Sequence, residues 1–246
     1  MNVWSTSPEI EVFPEPATVR SVELTGPAGR LEAVLNQGAP DAPYAALVCH
    51  PHPRYGGNLH NKVVYHTMKV LNDPAWGFRF PVLRFNFRGT GLSEGGHDGK
   101  AETGDVVAAL DWLEKEFQLP VVLAGFSFGA AMALWTCCGP QHADGDMKAA
   151  AGVRAIAALG LPTHADDRDY HYSFLRNTKQ HNSHLAKLFL SGDGDEFAPA
   201  AQLAEVVASA ATPKQLVLIP GADHFFTNQL QPMQQALASW LMEQLS

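Results

Sequence analysis

The pentapeptide Gly125-Phe126-Ser127-Phe128-Gly129 stands between the apolar run PVVLA and the alanine-rich run AAMALW. That placement reads as a strand, a tight turn and a helix, with the serine on the turn. A serine there takes a strained backbone conformation, and glycines two residues to either side remove side chains that would collide. The turn exposes the hydroxyl beside the positive end of the following helix, where an anionic intermediate is favoured. The competing reading is a glycine-rich connector whose serine only caps the helix. The strand before it and the helix after it favour the chemical one.

A serine hydroxyl is nearly inert at neutral pH and needs a base within hydrogen-bond reach. His224 follows the last apolar run, KQLVLIP, which puts it at the same sheet edge as Ser127. Most other histidines come too early for the chain order nucleophile, acid, base. A structural role is the alternative for His224. An orienting carboxylate is expected between the two, and Leu188–Glu196 offers Asp193, Asp195 and Glu196. Spacing leaves that choice open, and the unused ones suit turns or helix caps.

Acyl chemistry also needs two donors for a developing oxyanion, usually the amide after the nucleophile and one from the loop after the first parallel strand. Phe128 supplies the first. In the loop Cys49–Gly57, Pro51 and Pro53 carry no amide hydrogen, so His52 is the best-placed second donor. His50 and His52 can be read as a metal pair, but a structural or loop-shaping role is preferred.

The elements that must position these residues are legible from residue 44 onward. Apolar runs at Tyr44–Cys49, Phe80–Phe85, Pro120–Phe126, Arg154–Gly160, Ala186–Ser191 and Lys214–Ile219 are nearly continuous, as expected of parallel strands covered on both faces. Helical spacing separates them, with Val106, Leu110, Leu113 and Phe117 on one face and Leu230, Met233, Leu237 and Leu241 on another. Pro199 reads as a first-turn proline of a helix through Ala210. Ahead of these, Thr18–Thr25 and Arg30–Asn36 flank Gly26-Pro27-Ala28-Gly29 and read as an antiparallel hairpin. The expected fold is α/β, an eight-stranded mostly parallel sheet with helices on both faces. One domain over residues 18–246 suffices, preceded by an N-terminal extension of residues 1–17.

Composition narrows the partners. Of 246 residues, 46% are apolar and 17% charged, as in an ordinary globular protein. A formal charge of -8 without a Lys/Arg cluster argues against nucleic acid. Cys49, Cys137 and Cys138 have no metal-ligand spacing and suit a reducing compartment. The start is acidic and proline-broken, unlike a signal peptide, and no stretch reads as a membrane span. Localisation is therefore read as cytoplasmic. The segment Leu161–His184 holds several histidines and aspartates, but at no helical zinc spacing, so it reads as a solvated loop and not a metal site.

Together these residues resemble the α/β-hydrolase superfamily over nearly the whole chain from about residue 18. More narrowly, His50-Pro51-His52-Pro53 with Gly56-Gly57, the stretch Arg84–Ser93 and the serine turn are similar to a bacterial subgroup of small, lidless hydrolases akin to dienelactone-hydrolase-type serine esterases. The resemblance implies the fold, the triad order and the acid. The family's Asp-x-x-x-Pro pattern matches Asp195 through Pro199, which prefers Asp195 to Asp193. Two positions depart from the family: His-Pro replaces the commoner His-Gly in the oxyanion loop, and Asn86 stands where many relatives carry Asp.

The expected activity is hydrolysis of small, short-acyl carboxylic esters without cofactor or metal. Ser127 is the nucleophile, His224 the base and Asp195 its orienting partner. Thioesters or activated amides are the alternative substrates. A haloperoxidase-like or lyase activity would use the same site, and a non-catalytic binding protein would share only the fold. The gap Leu161–Lys187 is too short for a helical cap, so the pocket is expected to be shallow, walled by Tyr55, Phe126, Phe128 and residues 170–174. Monomer and homodimer are both compatible with the sequence.

Overall fold

The computed structural model describes residues 18–140, 150–165, 168–176 and 185–245. The apolar runs become one eight-stranded sheet, in the order β1 (Val19–Gly26), β2 (Gly29–Asn36), β4 (Val82–Phe85), β3 (Ala45–Cys49), β5 (Val121–Phe126), β6 (Val153–Leu159), β9 (Ala186–Gly192) and β10 (Lys214–Ile219). The β1–β2 hairpin pairs Gly26 with Gly29, leaving Pro27-Ala28 as a two-residue turn. It joins the sheet antiparallel to β4, and every later pairing is parallel. β4 and β5 each start just after a proline of their apolar runs. Pro81 and Pro120 lack the amide that a ladder needs and lend only their carbonyls, to Ala46 and Ala45.

Helices cover both faces. α2 (Glu102–Phe117) and α3 (Phe128–Cys138) pack with Phe85, Leu123 and Phe189 on one face. α1 (Lys62–Asn72) and α5 (Leu230–Leu245) pack with Val48, Val82 and Leu190 on the other. β3, β5 and β9 are buried at every residue, which is why their sequences show no polar alternation. α4 (Ala200–Ser209) begins one residue after Pro199. Pro199 therefore caps the helix instead of opening its first turn: its ψ of 129° is extended while its carbonyl already accepts from the Leu203 amide.

Between β6 and β9 the described residues form only a two-residue ladder, β7 (His164–Ala165) with β8 (Arg168–Asp169), and a short 3-10 turn at Ser173–Arg176. No large cap stands over the carboxyl edge of the sheet among the described residues. Residues 1–17, expected as an extension, lie outside them.

Candidate active site

β5 runs into α3 through Ser127, whose φ of 54° and ψ of −118° lie outside the regions open to most L-residues. Such a conformation costs on the order of 1–3 kcal/mol and persists only when its surroundings impose it. Here they do. The Ser127 amide donates to the Leu159 carbonyl at 2.8 Å, and its own carbonyl accepts from Ala130 and Ala131. A Cβ on Gly125 would collide with the backbone of Gly129, and one on Gly129 would come within 2.5 Å of the Cys49 carbonyl oxygen. Both glycines are thus required by backbone-to-backbone approach. The Phe128 amide opens α3, where a helix offers its first amides no internal acceptor.

The loop after β10 carries His224 to this turn. Its Nε2 lies 3.0 Å from Ser127 Oγ, and its Nδ1 lies 2.8 Å and 3.0 Å from the two carboxylate oxygens of Asp195. A carboxylate accepts, so Nδ1 carries the proton and Nε2 accepts from the serine hydroxyl. Phe126, Phe197 and Phe225 hold the imidazole with ring centroids 4.7–5.2 Å away. Gly160, at φ 53°, leaves room for it, since a Cβ there would come within 3.2 Å of His224 Cε1.

Of the three carboxylates in the stretch after β9, Asp195 is the one that reaches His224. It is held by donation from Ser191 Oγ at 2.8 Å and from the Phe197 and Ala198 amides. Asp193 instead accepts from the Gly221 amide at 2.7 Å and braces two loops, while Glu196 is exposed. Ser191, Phe197 and Gly160 were not legible as site residues, because each acts only through a neighbour brought close by folding.

The loop after β3 closes the other side. His52 caps a 3-10 turn at Pro53–Tyr55, accepting the Arg54 amide on Nδ1, and its carbonyl accepts from Tyr55 and Gly57. Its ring packs 5.0 Å from that of Phe128, which draws the loop against the start of α3. The result is a cavity of about 80 Å³ lined by His52, Tyr55, Ser127, Phe128, Tyr170 and Phe225, among others. A typical small-molecule cleft spans ~300–1,000 Å³.

The alpha/beta hydrolase domain family matches residues 78–241. The chain belongs to that family. An uncharacterized protein of Rickettsia prowazekii is 33% identical over 90% of this chain and 88% of its own. The crystal structure of an α/β serine hydrolase without lid from Xanthomonas campestris matches with a TM-score of 0.73 and 27% identity, covering 95% of this chain and 97% of the other. A serine hydrolase homologue from Coxiella burnetii matches at 0.72 and 30%, covering 90% and 97%. These neighbours place this alpha/beta hydrolase in the small, lidless subgroup.

Some of the expected wall residues of this hydrolase are placed elsewhere. Phe126 is buried beneath His224 and does not line the cavity, because the last residue of β5 points into the α1–α5 side of the core. Within residues 170–174 only Tyr170 reaches the cavity; Tyr172 is buried with its hydroxyl on the Pro162 carbonyl, and Phe174 packs on Trp135. Asp166, Asp167, His181 and His184 lie outside the described residues, within which no cluster of metal-ligating side chains forms. The same residues contain no helix long and apolar enough to cross a membrane.

His50 is a strut. Its Nδ1 lies 2.6 Å from the Pro51 carbonyl and its Nε2 accepts the Phe87 amide at 3.0 Å, so both ring nitrogens are engaged. Arg88, next along, forms a 2.6 Å ion pair with buried Asp105, fixing the loop after β4 to α2. The Asn86 departure has a local cause: its Oδ1 accepts the Leu59 amide while its Nδ2 donates to Glu32. An aspartate there would set two carboxylates together.

Burial lowers the His50 pKa from 6.5 to about 4. Between those values the unfolded chain takes a proton that the folded chain refuses, so stability falls as pH falls. From pH 7 to pH 4 this group alone should remove about 3 kcal/mol. Urea unfolding across that range measures it. His50→Asn should be less stable at pH 7 yet lose less on acidification, and an unchanged slope would show that His50 does not set the acid limit.

Proposed function

We propose that this alpha/beta hydrolase is a serine esterase for small, short-acyl carboxylic esters. The observation that carries this is the serine held in a strained turn with its Oγ 3.0 Å from an imidazole that a buried carboxylate orients. Ser127 Oγ attacks the ester carbonyl as His224 Nε2 takes its proton. The oxyanion so formed accepts from the Phe128 and His52 amides. His224 then protonates the leaving alcohol, and the bond from carbonyl carbon to that oxygen breaks. Water repeats the sequence on the acyl-enzyme, releasing the acid and restoring Ser127. Asp195 keeps the imidazole in the competent tautomer and stabilises its cation. The neighbour described as a serine hydrolase without lid supports the same reading. Three free thiols, two of them buried, suit a reducing cytoplasm.

The cavity of about 80 Å³ at Ser127 supports a small acyl group. Each methylene removed from water stabilises binding by ~0.8 kcal/mol, and that gain ends where the wall ends. A fluorophosphonate probe should label Ser127, located by mass spectrometry. Across p-nitrophenyl esters, kcat/KM should peak at short acyl chains, with no jump when substrate aggregates. Labelling elsewhere would overturn the nucleophile. A steady climb to long chains would overturn the substrate class, and a marked preference for thioesters in the same panel would reassign the leaving group.

A further inference from the structure

A second cavity, of about 670 Å³, lies between α1 and the sheet edge of β1, β2 and β4, and shares no lining residue with the one at Ser127. Arg84 of β4 lines it while being 5% exposed. Its Nη1 donates to the Leu59 carbonyl and its Nη2 to Asn36 Oδ1, each at 3.0 Å. Both acceptors are neutral. Among the described residues its buried Nε–H has no acceptor, and no carboxylate pairs with the guanidinium.

A buried cation without a counter-charge is costly, and proteins ordinarily give it an anionic partner. The rest of the lining does not supply one. Arg79 adds a second guanidinium, and the one carboxylate there, Asp73, already faces Lys69 at 3.8 Å. This is a concentration of positive charge on a chain of net charge -8. The volume falls within the ~300–1,000 Å³ of small-molecule sites, and a guanidinium suits the oxygens of carboxylates and phosphates better than any other side chain.

We propose that this cavity binds a small organic anion, a carboxylate or a phosphate monoester, whose negative charge offsets that of the Arg84 guanidinium in its wall and whose oxygens face Arg79. The site is separate from the hydrolytic one and does not depend on it.

Isothermal titration of the full chain with inorganic phosphate, and separately with succinate, tests this. At least one should bind saturably at one site, and which one does tells the phosphate source from the carboxylate source. Arg84→Lys keeps the charge but loses the planar group that Leu59 and Asn36 hold against the cavity, and should weaken binding about tenfold or more. Because Arg84 also holds Leu59, Arg79→Gln on the exposed rim is the second variant. It should weaken binding several-fold without altering thermal stability, and it decides alone if Arg84→Lys does not fold. Ser127→Ala should bind as the parent does. Absence of saturable binding by both anions, or binding that Arg79→Gln leaves unchanged, would overturn the proposal.

Discussion

Ser127→Ala should fold as the parent does and hydrolyse a short p-nitrophenyl ester on the order of 10⁴–10⁶ times more slowly. The strained turn is held by backbone bonds from the Ser127 amide to Leu159 and from Ala130 and Ala131 to its carbonyl, none of which involves the hydroxyl. The hydroxyl's partner is His224. Removing it deletes the attacking atom and leaves the turn, the oxyanion amides and the cavity in place. Circular dichroism and thermal melting should therefore superimpose on the parent while turnover falls to what oxyanion binding alone supports. Parent-like turnover by the folded variant would end the assignment of Ser127.

Asp195→Asn should lower kcat by about 10⁴, whereas Asp193→Asn should change it little. The asymmetry follows from what each carboxylate accepts. Asp195 receives the His224 Nδ1 proton, the Ser191 hydroxyl and two amides. An asparagine can keep its carbonyl oxygen on the Phe197 and Ala198 amides, which turns its NH₂ toward Ser191 and Nδ1. That forces the proton of neutral His224 onto Nε2, where the ring no longer accepts from Ser127. Asp193 accepts a single amide, from Gly221, which an asparagine oxygen serves as well. Steady-state kinetics of the two variants, with His50→Asn as a control for loop damage, separates these effects. Equal losses, or the reverse order, would assign the acid elsewhere.

Much of this was legible in the sequence because it rests on local chemistry. Continuous apolar runs mark strands buried on both faces, so the core strands could be located within a residue or two. Gly125, Ser127 and Gly129 mark their turn because only glycine lets the two backbones meet there. Pro51 and Pro53 lack amide hydrogens wherever they stand, so neither can donate from that loop. The choice of Asp195 over Asp193 was different, since both follow β9 within three residues and both suit loops. Family resemblance preferred one, and the structure shows why: β9 and β10 run parallel, and the loop after β10 returns His224 onto Asp195 while Gly221 meets Asp193.

What only the tertiary structure decided are relations between distant segments. Phe126 reads as a wall residue beside the nucleophile, yet strand alternation buries it beneath His224. His97, unremarked in the sequence, packs its ring 4.6 Å from His52 and sets Nδ1 2.6 Å from buried Glu102. His50 reads as a structural or loop-shaping residue, and only the fold supplies the partner of its second nitrogen, the Phe87 amide, 37 residues away. Arg84 reads as one more residue in an apolar strand, and only the fold shows a guanidinium buried beside a cavity with no counter-charge among the described residues. Local sequence specifies conformation through sterics and hydrogen-bonding capacity; which side chains then share a desolvated space depends on strand order and loop return, which spacing along the chain does not encode.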